Sequence, residues 1–163
     1  MNNLDQLKSW LNDAHAMEQG LIKVLQNHAK DAKDHPDVRM RDEQHIEETR
    51  RHAERVARCL EILGDKPSGM KSAWSKMTGI VQGASSGPFR DEIVKNFLSD
   101  YAAEHLEIAC YRSLIAAAEE LNQPEIAELC RENLRDEEEM ARWLEENIPG
   151  VTRMFLQEQH AHA

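Results

Sequence analysis

Apolar residues recur at steps of three and four positions through four long segments of the chain, a spacing that puts them on one face of an α-helix. Clusters containing Pro or Gly separate the segments, at residues 34–37, 63–69, 83–89, 121–124 and 148–150. The pattern therefore predicts four helices, over about residues 3–33, 37–63, 88–121 and 124–147. Strand patterns are absent, so the predicted fold class is all-α.

The connections between these helices differ in length. Two are short, which makes the neighbouring helices antiparallel, whereas residues 64–87 join the second helix to the third and hold a short helical candidate, MKSAWSKMTGIV. A connection of that length lets the chain cross from one end of a bundle to the other. We therefore predict one domain, a ferritin-like four-helix bundle over residues 1–150 with a short extra helix in its crossover. Residues 151–163 are expected to form a mobile C-terminal tail.

An acidic residue interrupts the inward face of each predicted helix near its middle. The acids are Glu18 in the first helix, Glu48 in the second, Glu104 and Glu107 in the third, and Glu137 in the fourth. Thirty residues separate Glu18 from Glu48, and thirty separate Glu107 from Glu137. The matched spacing suggests two related helical hairpins that bring their carboxylates together.

Ionised carboxylates inside a bundle cost several kcal/mol each unless something neutralises them. Raised pKa values, pairing with Lys or Arg, or two divalent cations can each do so. The mid-length inward positions of the first, third and fourth helices hold no Lys or Arg, and only Arg51 on the second could turn inward. Two metal ions are therefore the favoured interpretation, and the alternative is a polar layer that fixes helix register.

Imidazole could complete such a site, and oxygen-rich sites with one or two imidazoles suit iron or manganese. His45 lies three residues before Glu48 and His52 four after it, so both can reach the bundle axis and the spacing does not choose between them. His15 and Tyr111 could hold a ligand carboxylate in place, or be ordinary polar and core residues. The predicted metal ligands are Glu18, His45, Glu48, Glu104, Glu107 and Glu137, with His15, His52 and Tyr111 as supporting residues or alternative ligands.

Charge and composition exclude some partners. The formal net charge of -10 and the pI near 5.3 argue against binding to nucleic acid or to an anionic membrane surface. The sequence shows neither a leader nor an apolar run long enough to cross a membrane, so a cytoplasmic location is expected. Cys59, Cys110 and Cys130 fall at helical apolar positions and should be reduced and buried.

Several motifs resemble one family, the ferritin-like stress proteins of the bacterial YciE/YciF group. The most specific is AEHLEIACYRSL at residues 103–114, which is similar to the family's Glu-His-x-Glu-Ile-Ala-x-Tyr signature. HIEET at 45–49, LRDEE at 134–138 and MEQGLIKVL at 17–25 support the resemblance, which covers about residues 4–147. It implies a fold like rubrerythrin and ferritin, two iron ions, a homodimer and a role in stress.

The resemblance also shows where this chain departs from its wider superfamily. In rubrerythrin a histidine follows the second-helix and fourth-helix glutamates by three residues, and here those positions hold Arg51 and Met140. His45 is then the natural substitute, while Glu48 or Glu107 would bridge the metals by analogy.

Two functions are therefore expected as alternatives. The first is a di-iron protein, with manganese also possible, that oxidises Fe(II) or reduces dioxygen or peroxide as a ferroxidase-like or peroxidase-like oxidoreductase. The second is a non-catalytic dimeric stress protein in which metal is structural or absent.

Overall fold

The computed structural model describes residues 2–69 and 91–161. Within these ranges the chain forms four α-helices and no strand: α1 (Asn3–Asp31), α2 (Pro36–Ile62), α3 (Glu92–Glu120) and α4 (Pro124–Ala161). One short 3-10 turn, Ala32–Asp34, joins α1 to α2. The predicted all-α class is confirmed, and the extra helix predicted at residues 70–81 lies outside the described residues.

Local sequence accounts for where the helices begin and end. α1 starts with a capping box, in which the Asp5 N–H donates to Asn2 Oδ1 at 2.9 Å and the Asn2 N–H donates to Asp5 Oδ2 at 3.2 Å. Pro36 stands at the first turn of α2, where its missing N–H costs nothing. Gly64 follows α2 with a φ of 70°, a left-handed conformation that glycine adopts without steric cost.

Contacts between helices fix their directions. His28 contacts Asp100 whereas Glu18 contacts Tyr111, so α1 and α3 are antiparallel. The His45–Glu104 and His52–Tyr111 contacts make α2 and α3 parallel. The chain must therefore pass from one end of the bundle to the other between α2 and α3, and the predicted ferritin-like arrangement is confirmed.

The prediction that the fourth helix ends near residue 147 is wrong. α4 continues to Ala161 through Pro149, although proline removes one backbone hydrogen bond from a helix interior. The apolar face continues beyond the proline, because Val151 is buried and Met154 packs with it against Phe97. Tertiary packing thus outweighs the local signal. The division at residue 150 and the mobility of residues 151–163 stay predictions.

Two apolar layers enclose the middle of the bundle. One is formed by residues from all four helices, including Leu11, Val56, Leu114 and Ile126. The other lies at the opposite end around Phe97, Met140 and Leu144. Between these layers lie the buried acids and histidines of the candidate site, beside smaller apolar clusters around Met17 and Leu25. No helix in the described parts of the chain is long and apolar enough to cross a membrane.

The cysteines follow the prediction in part. Cys59 and Cys130 are free and fully buried in the first apolar layer, while Cys110 is free but only half-buried.

Candidate metal centre

All four helices contribute to the polar middle of the bundle. Six acidic and histidine side chains there are at most 2% exposed, so bulk water does not solvate their charges. They are Glu18 of α1, His45 and His52 of α2, Glu104 and Glu107 of α3, and Glu137 of α4. Each lies on the face that carries its helix's core residues, so the same packing that buries the leucines also buries these groups.

Two sets of potential metal donors are already assembled within this layer. The first consists of His45, Glu104 and Glu137, with His45 Nε2 2.9 Å from Glu104 Oε1 and 3.8 Å from Glu137 Oε2. The second consists of Glu18, His52 and Glu137, with His52 Nδ1 2.8 Å from Glu137 Oε1 and 3.8 Å from Glu18 Oε2. Within each set one donor atom per residue lies within 4.8 Å of the others. Glu137 belongs to both sets and is their shared carboxylate.

Each histidine turns its second ring nitrogen to a further carboxylate. His45 Nδ1 lies 2.8 Å from Glu48 Oε2, and His52 Nε2 lies 2.9 Å from Asp136 Oδ2. A carboxylate in this position fixes the orientation and the tautomer of a metal-binding imidazole. Both histidines are therefore prepared in the same way, with one nitrogen facing the centre.

Glu48 is placed differently from the other predicted ligands. Its carboxylate accepts hydrogen bonds from Arg41 at 3.1 Å and Gln44 at 2.9 Å, in addition to the contact with His45. It belongs to neither donor set. Arg41 is thus a cation that reaches the layer from α2, while Arg51, the arginine considered from the sequence, is exposed.

The remaining predicted residues surround the two sets. Tyr111 is fully buried, donates its hydroxyl hydrogen to Glu18 Oε1 and accepts a hydrogen bond from Asn133 Nδ2 at 3.0 Å. Glu107 is 2% exposed and close enough to Glu18 and Glu137 for their charges to act on it, yet it lies in neither set. His15 is half-buried and also lies in neither set.

Burial and mutual repulsion shift the carboxyl groups towards their neutral forms. Burial first, and the charge of Glu137 second, raise the pKa of Glu18 to about 8. Burial and the neighbouring Glu104 raise the pKa of Glu137 to about 7. The pKa of Glu107 is also raised, by burial and by Glu137. The layer thus resists holding all its carboxylates ionised without a compensating positive charge.

The pKa values of the two histidines are raised as well, which favours their charged forms. Burial alone would lower the pKa of His45, but the charge and the hydrogen bond of Glu104 raise it well above its ordinary value. Burial likewise opposes the charged form of His52, while Glu137 and Asp136 raise its pKa to about 10. Without a metal ion, both rings are imidazolium and partly neutralise the surrounding carboxylates.

Several donor atoms in the layer nevertheless have no hydrogen-bond partner. They are Glu18 Oε2, His52 Nδ1, Glu104 Oε2 and both oxygens of Glu137. His52 Nδ1 and Glu137 Oε1 are 2.8 Å apart but lack the alignment of a hydrogen bond. Buried unpaired polar atoms are costly and rare, so this concentration calls for a ligand. Carboxylate oxygens and imidazole nitrogens suit iron, manganese or zinc, and the residues present therefore fit a divalent metal.

Sequence reasoning missed three residues that organise this layer. Asp136 is adjacent to Glu137 in an acidic run that looks like a solvated helix face, and its contact with His52 depends on how α4 packs against α2. Arg41 precedes Glu48 by two helical turns and Gln44 precedes it by one. Their spacing from Glu48 was the signal that could have identified Arg41 and Gln44, because both lie on the helix face of Glu48.

Solved structures of other proteins share this architecture. A protein from Xanthomonas campestris is 33% identical, with a TM-score of 0.84 over 98% of this chain and 99% of that one. The Escherichia coli stress protein YciF is 23% identical, with a TM-score of 0.80 over 94% and 98% of the two chains. A ferritin-like, diiron-carboxylate protein from Bacillus anthracis is 18% identical, with a TM-score of 0.69 over 91% and 99%. The last two similarities establish the fold.

The family comparison covers nearly the whole chain. The family described as a domain of unknown function, DUF892, matches residues 2–157, which include α1, α2, α3, all but the last turn of α4 and every residue of both donor sets. The predicted similarity to YciF and to ferritin-like proteins is thereby confirmed for the fold, and this protein belongs to the DUF892 family.

Proposed function

We propose that this protein holds two divalent metal ions, iron or manganese, in its polar layer and oxidises Fe(II) or reduces dioxygen or peroxide there. The observation that carries the proposal is the pair of donor sets joined at Glu137, with unpartnered donor atoms in both. The charge also balances, because two divalent cations match the four carboxylates of Glu18, Glu104, Glu107 and Glu137. The structural similarity to a diiron-carboxylate protein supports the same interpretation.

The two donor sets suggest how the ions would be held. Glu18 and His52 would hold one, His45 and Glu104 the other, and Glu137 would serve both. Glu107, buried beside them, supplies a further carboxylate. In this proposal Glu48 orients His45 instead of bridging the ions, since its oxygens are engaged by Arg41, Gln44 and His45.

The chain's own groups have defined tasks in such a centre. Bound Fe(II) would supply the electrons that reduce dioxygen or peroxide. Metal binding requires His45 to lose the proton on Nε2 and His52 to lose the proton on Nδ1, while Glu48 and Asp136 keep the opposite nitrogens protonated. Tyr111 holds Glu18 in position, and the apolar layers on both sides limit the entry of water.

Metal loading under anaerobic conditions tests the proposal directly. Purified protein freed of metal with a chelator would be titrated with Fe(II), then exposed to dioxygen or to peroxide. We expect about two ions per chain, as in other dinuclear helix bundles, and oxidation faster than in protein-free buffer. Fewer than about one ion per chain, or oxidation at the buffer rate, contradicts the proposal.

A second function is favoured by one observation. The imidazolium forms of His45 and His52 already pair with Glu104, Glu48 and Asp136, so the layer is partly neutralised without metal. The protein could then act as a non-catalytic helical stress protein. This alternative would be favoured if the protein folds stably and binds no metal at any Fe(II) or Mn(II) concentration tested.

We further propose that the protein works as a homodimer in the cytoplasm. Both statements come from the resemblance to the YciE/YciF group and from the chain's composition. Light scattering on the purified protein measures the oligomeric state, and a monomer at micromolar concentration contradicts the proposed homodimer.

A further inference from the structure

A second buried polar layer lies beside the candidate metal centre, and the proposed function does not use it. It consists of His28 on α1, Asp42 on α2 and Asp100 on α3, whose exposed fractions are 4%, 3% and 5%. His28 Nδ1 donates a hydrogen bond to Asp100 Oδ1 at 2.8 Å. Three helices thus bring an imidazole and two carboxylates into one dry layer.

This layer is the neighbour of the metal centre along two helices. Asp42 precedes His45 by three residues, and Asp100 precedes Glu104 by four. At about 1.5 Å of rise per residue, the two layers are about 4.5–6 Å apart along the bundle axis. That separation is one helical turn, close enough for a proton to pass through a hydrogen-bonded group or a single water.

The same layer reaches solvent on its other side. Asp31, one turn beyond His28 on α1, is exposed and accepts a hydrogen bond from Asn96 Nδ2 at 3.1 Å. Asn96 is itself buried, and its Oδ1 has no hydrogen-bond partner. An unsatisfied buried acceptor at this point is suited to a bound water between Asp31 and the interior.

Asp42 is the group in this layer best suited to exchange a proton near neutral pH. Burial, followed by the charge of Asp100, raises the pKa of its carboxyl to about 7. His28 on α1, and His45 and Arg41 on its own helix, act in the opposite direction. Burial opposes the charged form of His28 too, but Asp100, Asp42 and Asp31 raise its pKa above the ordinary value. At neutral pH the layer therefore holds exchangeable protons.

We propose that His28, Asp100 and Asp42 form a proton path between solvent at Asp31 and the metal centre, with Asp42 delivering the proton. This inference rests on the proposed function. Reduction of one hydrogen peroxide to two waters breaks the O–O bond and consumes two protons and two electrons. Two Fe(II) supply the electrons and become Fe(III), while each proton leaves the Asp42 carboxyl and is replaced from His28 and then from solvent.

The test compares four variants of the full chain. Asp42→Asn removes the exchangeable proton and keeps the shape, while Asp42→Glu restores a carboxyl at the same position. His28→Gln interrupts the path further out and keeps the Asp42 carboxyl, although it removes a charge that lowers the pKa of that carboxyl. Glu43→Gln is the matched control, since Glu43 is the adjacent residue, exposed and paired with Arg39 on the surface.

The first measurement needs no metal. Infrared spectra of chelator-treated protein would follow the protonated-carboxyl band as the pH is raised. Glu137, whose pKa is also about 7, contributes to the same band, so the Asp42 component is obtained by subtracting the spectrum of Asp42→Asn from that of wild type. In this difference we expect a component that disappears with a midpoint near pH 7, and Glu43→Gln should give the wild-type spectra. Identical spectra for wild type and Asp42→Asn overturn the proposal.

The second measurement follows oxidation of Fe(II)-loaded protein by peroxide in a stopped-flow instrument. The wild-type rate should fall as pH rises above about 7, because the protonated form of Asp42 is the donor. Asp42→Asn and His28→Gln should react at least about tenfold more slowly, as expected for loss of a proton-transfer group. Asp42→Asn should also lose the pH dependence, while Asp42→Glu should regain most of the rate and Glu43→Gln all of it.

The outcomes separate this inference from the function on which it rests. Asp42→Asn with the wild-type metal content, rate and pH profile overturns the proton path and leaves the proposed function intact. A slow Asp42→Asn that Asp42→Glu does not rescue, with an unchanged pH profile, assigns the layer a purely structural role. Wild-type protein that binds no metal overturns the proposed function and the proton path with it.

Discussion

His45 and His52 stand two turns apart on the same helix, and they offer the most instructive comparison in this molecule. Each points one ring nitrogen towards the centre and the other towards a carboxylate, at 2.8 Å for His45 and 2.9 Å for His52. The carboxylates come from different places, however. Glu48 is three residues from its histidine on the same helix, whereas Asp136 lies 84 residues away on α4.

One histidine is thus oriented by a contact within its own helix and the other by a contact between two helices. An i,i+3 pair such as His45 and Glu48 follows from helix geometry alone and can be identified in a sequence. The His52–Asp136 pair exists only once α2 and α4 have packed. In the sequence the spacing did not choose between the two histidines, and only the comparison with rubrerythrin favoured His45, whereas the structure orients both histidines alike.

Replacing Glu137, the carboxylate that both donor sets share, should abolish metal binding beside both histidines. In Glu137→Gln we expect metal binding to fall from about two ions per chain to none, because each position loses a charged ligand. Metal analysis after anaerobic Fe(II) loading measures it. Glu138→Gln is the control, since Glu138 pairs with Arg112 at the surface and should leave the metal content unchanged. Full occupancy in Glu137→Gln would contradict the shared role.

Removing either histidine should cost one ion of two. His45→Ala and His52→Ala each take one nitrogen donor from one set and leave the other set intact. Isothermal titration with Mn(II) or Co(II) would count the remaining strong sites. If His52→Ala binds like wild type while His45→Ala does not, the sequence-based preference for His45 is right and the equivalence in the structure is misleading.

The orienting carboxylates should have smaller effects that are again matched. Glu48→Gln and Asp136→Asn should each weaken one metal position by about tenfold to one hundredfold, the usual consequence of losing a carboxylate behind a histidine ligand. Competition with a chromophoric chelator resolves affinities in this range. Glu128→Gln is a control, because Glu128 lies on the same helix as Asp136 and pairs with Arg131 at the surface. Loss of a whole ion in Glu48→Gln would show that Glu48 is itself a ligand.

In metal-free protein, the carboxylate of the first pair and the histidine of the second stabilise the fold over different pH ranges. His45 and Arg41 outweigh burial and lower the pKa of Glu48 from 4.5 to about 2, so its stabilising contribution is present above pH 4.5 and lost as pH falls towards 2. The raised pKa of His52, from 6.5 to about 10, makes its contribution present below pH 6.5 and lost as pH rises towards 10.

Glu18 should add to the alkaline loss of stability. Its carboxyl is protonated in the folded state up to about pH 8 but only to about 4.5 in the unfolded chain, so the free energy of unfolding falls as pH rises between these values. Urea unfolding across the pH range, with chelator present, would measure these slopes. Glu18→Gln and His52→Gln should each flatten the alkaline decline, and Glu48→Gln the acidic one. An unchanged alkaline slope in both Glu18→Gln and His52→Gln would contradict the assigned shifts.

Much of this picture could be predicted from the sequence. The helical periodicity and the position of Pro and Gly gave four helices and an all-α class, and the two short connections and one long one gave the ferritin-like order. The one large error was the end of α4, where Pro149 is a strong local stop signal. Packing of Val151 and Met154 against the core, which no local pattern reports, carries the helix past it.

In the candidate site too, local sequence patterns predicted some residues and tertiary packing decided the others. Glu18, Glu104, Glu107 and Glu137 were found because a carboxylate on an apolar helix face violates the pattern around it. His52, Asp136 and Arg41 were undervalued because exposed-looking residues on a helix can turn inward once a neighbour covers them. The layer of His28, Asp42 and Asp100 was not found, since its members come from three helices and show no shared spacing.

The sequence by itself determined which faces of the helices are buried and that several of them carry acids, because helical periodicity and the cost of burying charge act on each helix separately. Only the tertiary structure decided which carboxylate is shared, which histidine nitrogens face the centre, and that Glu48 stands behind His45. Those choices depend on the rotation and depth at which four helices pack, and a shift of one residue along any of them would exchange the partners.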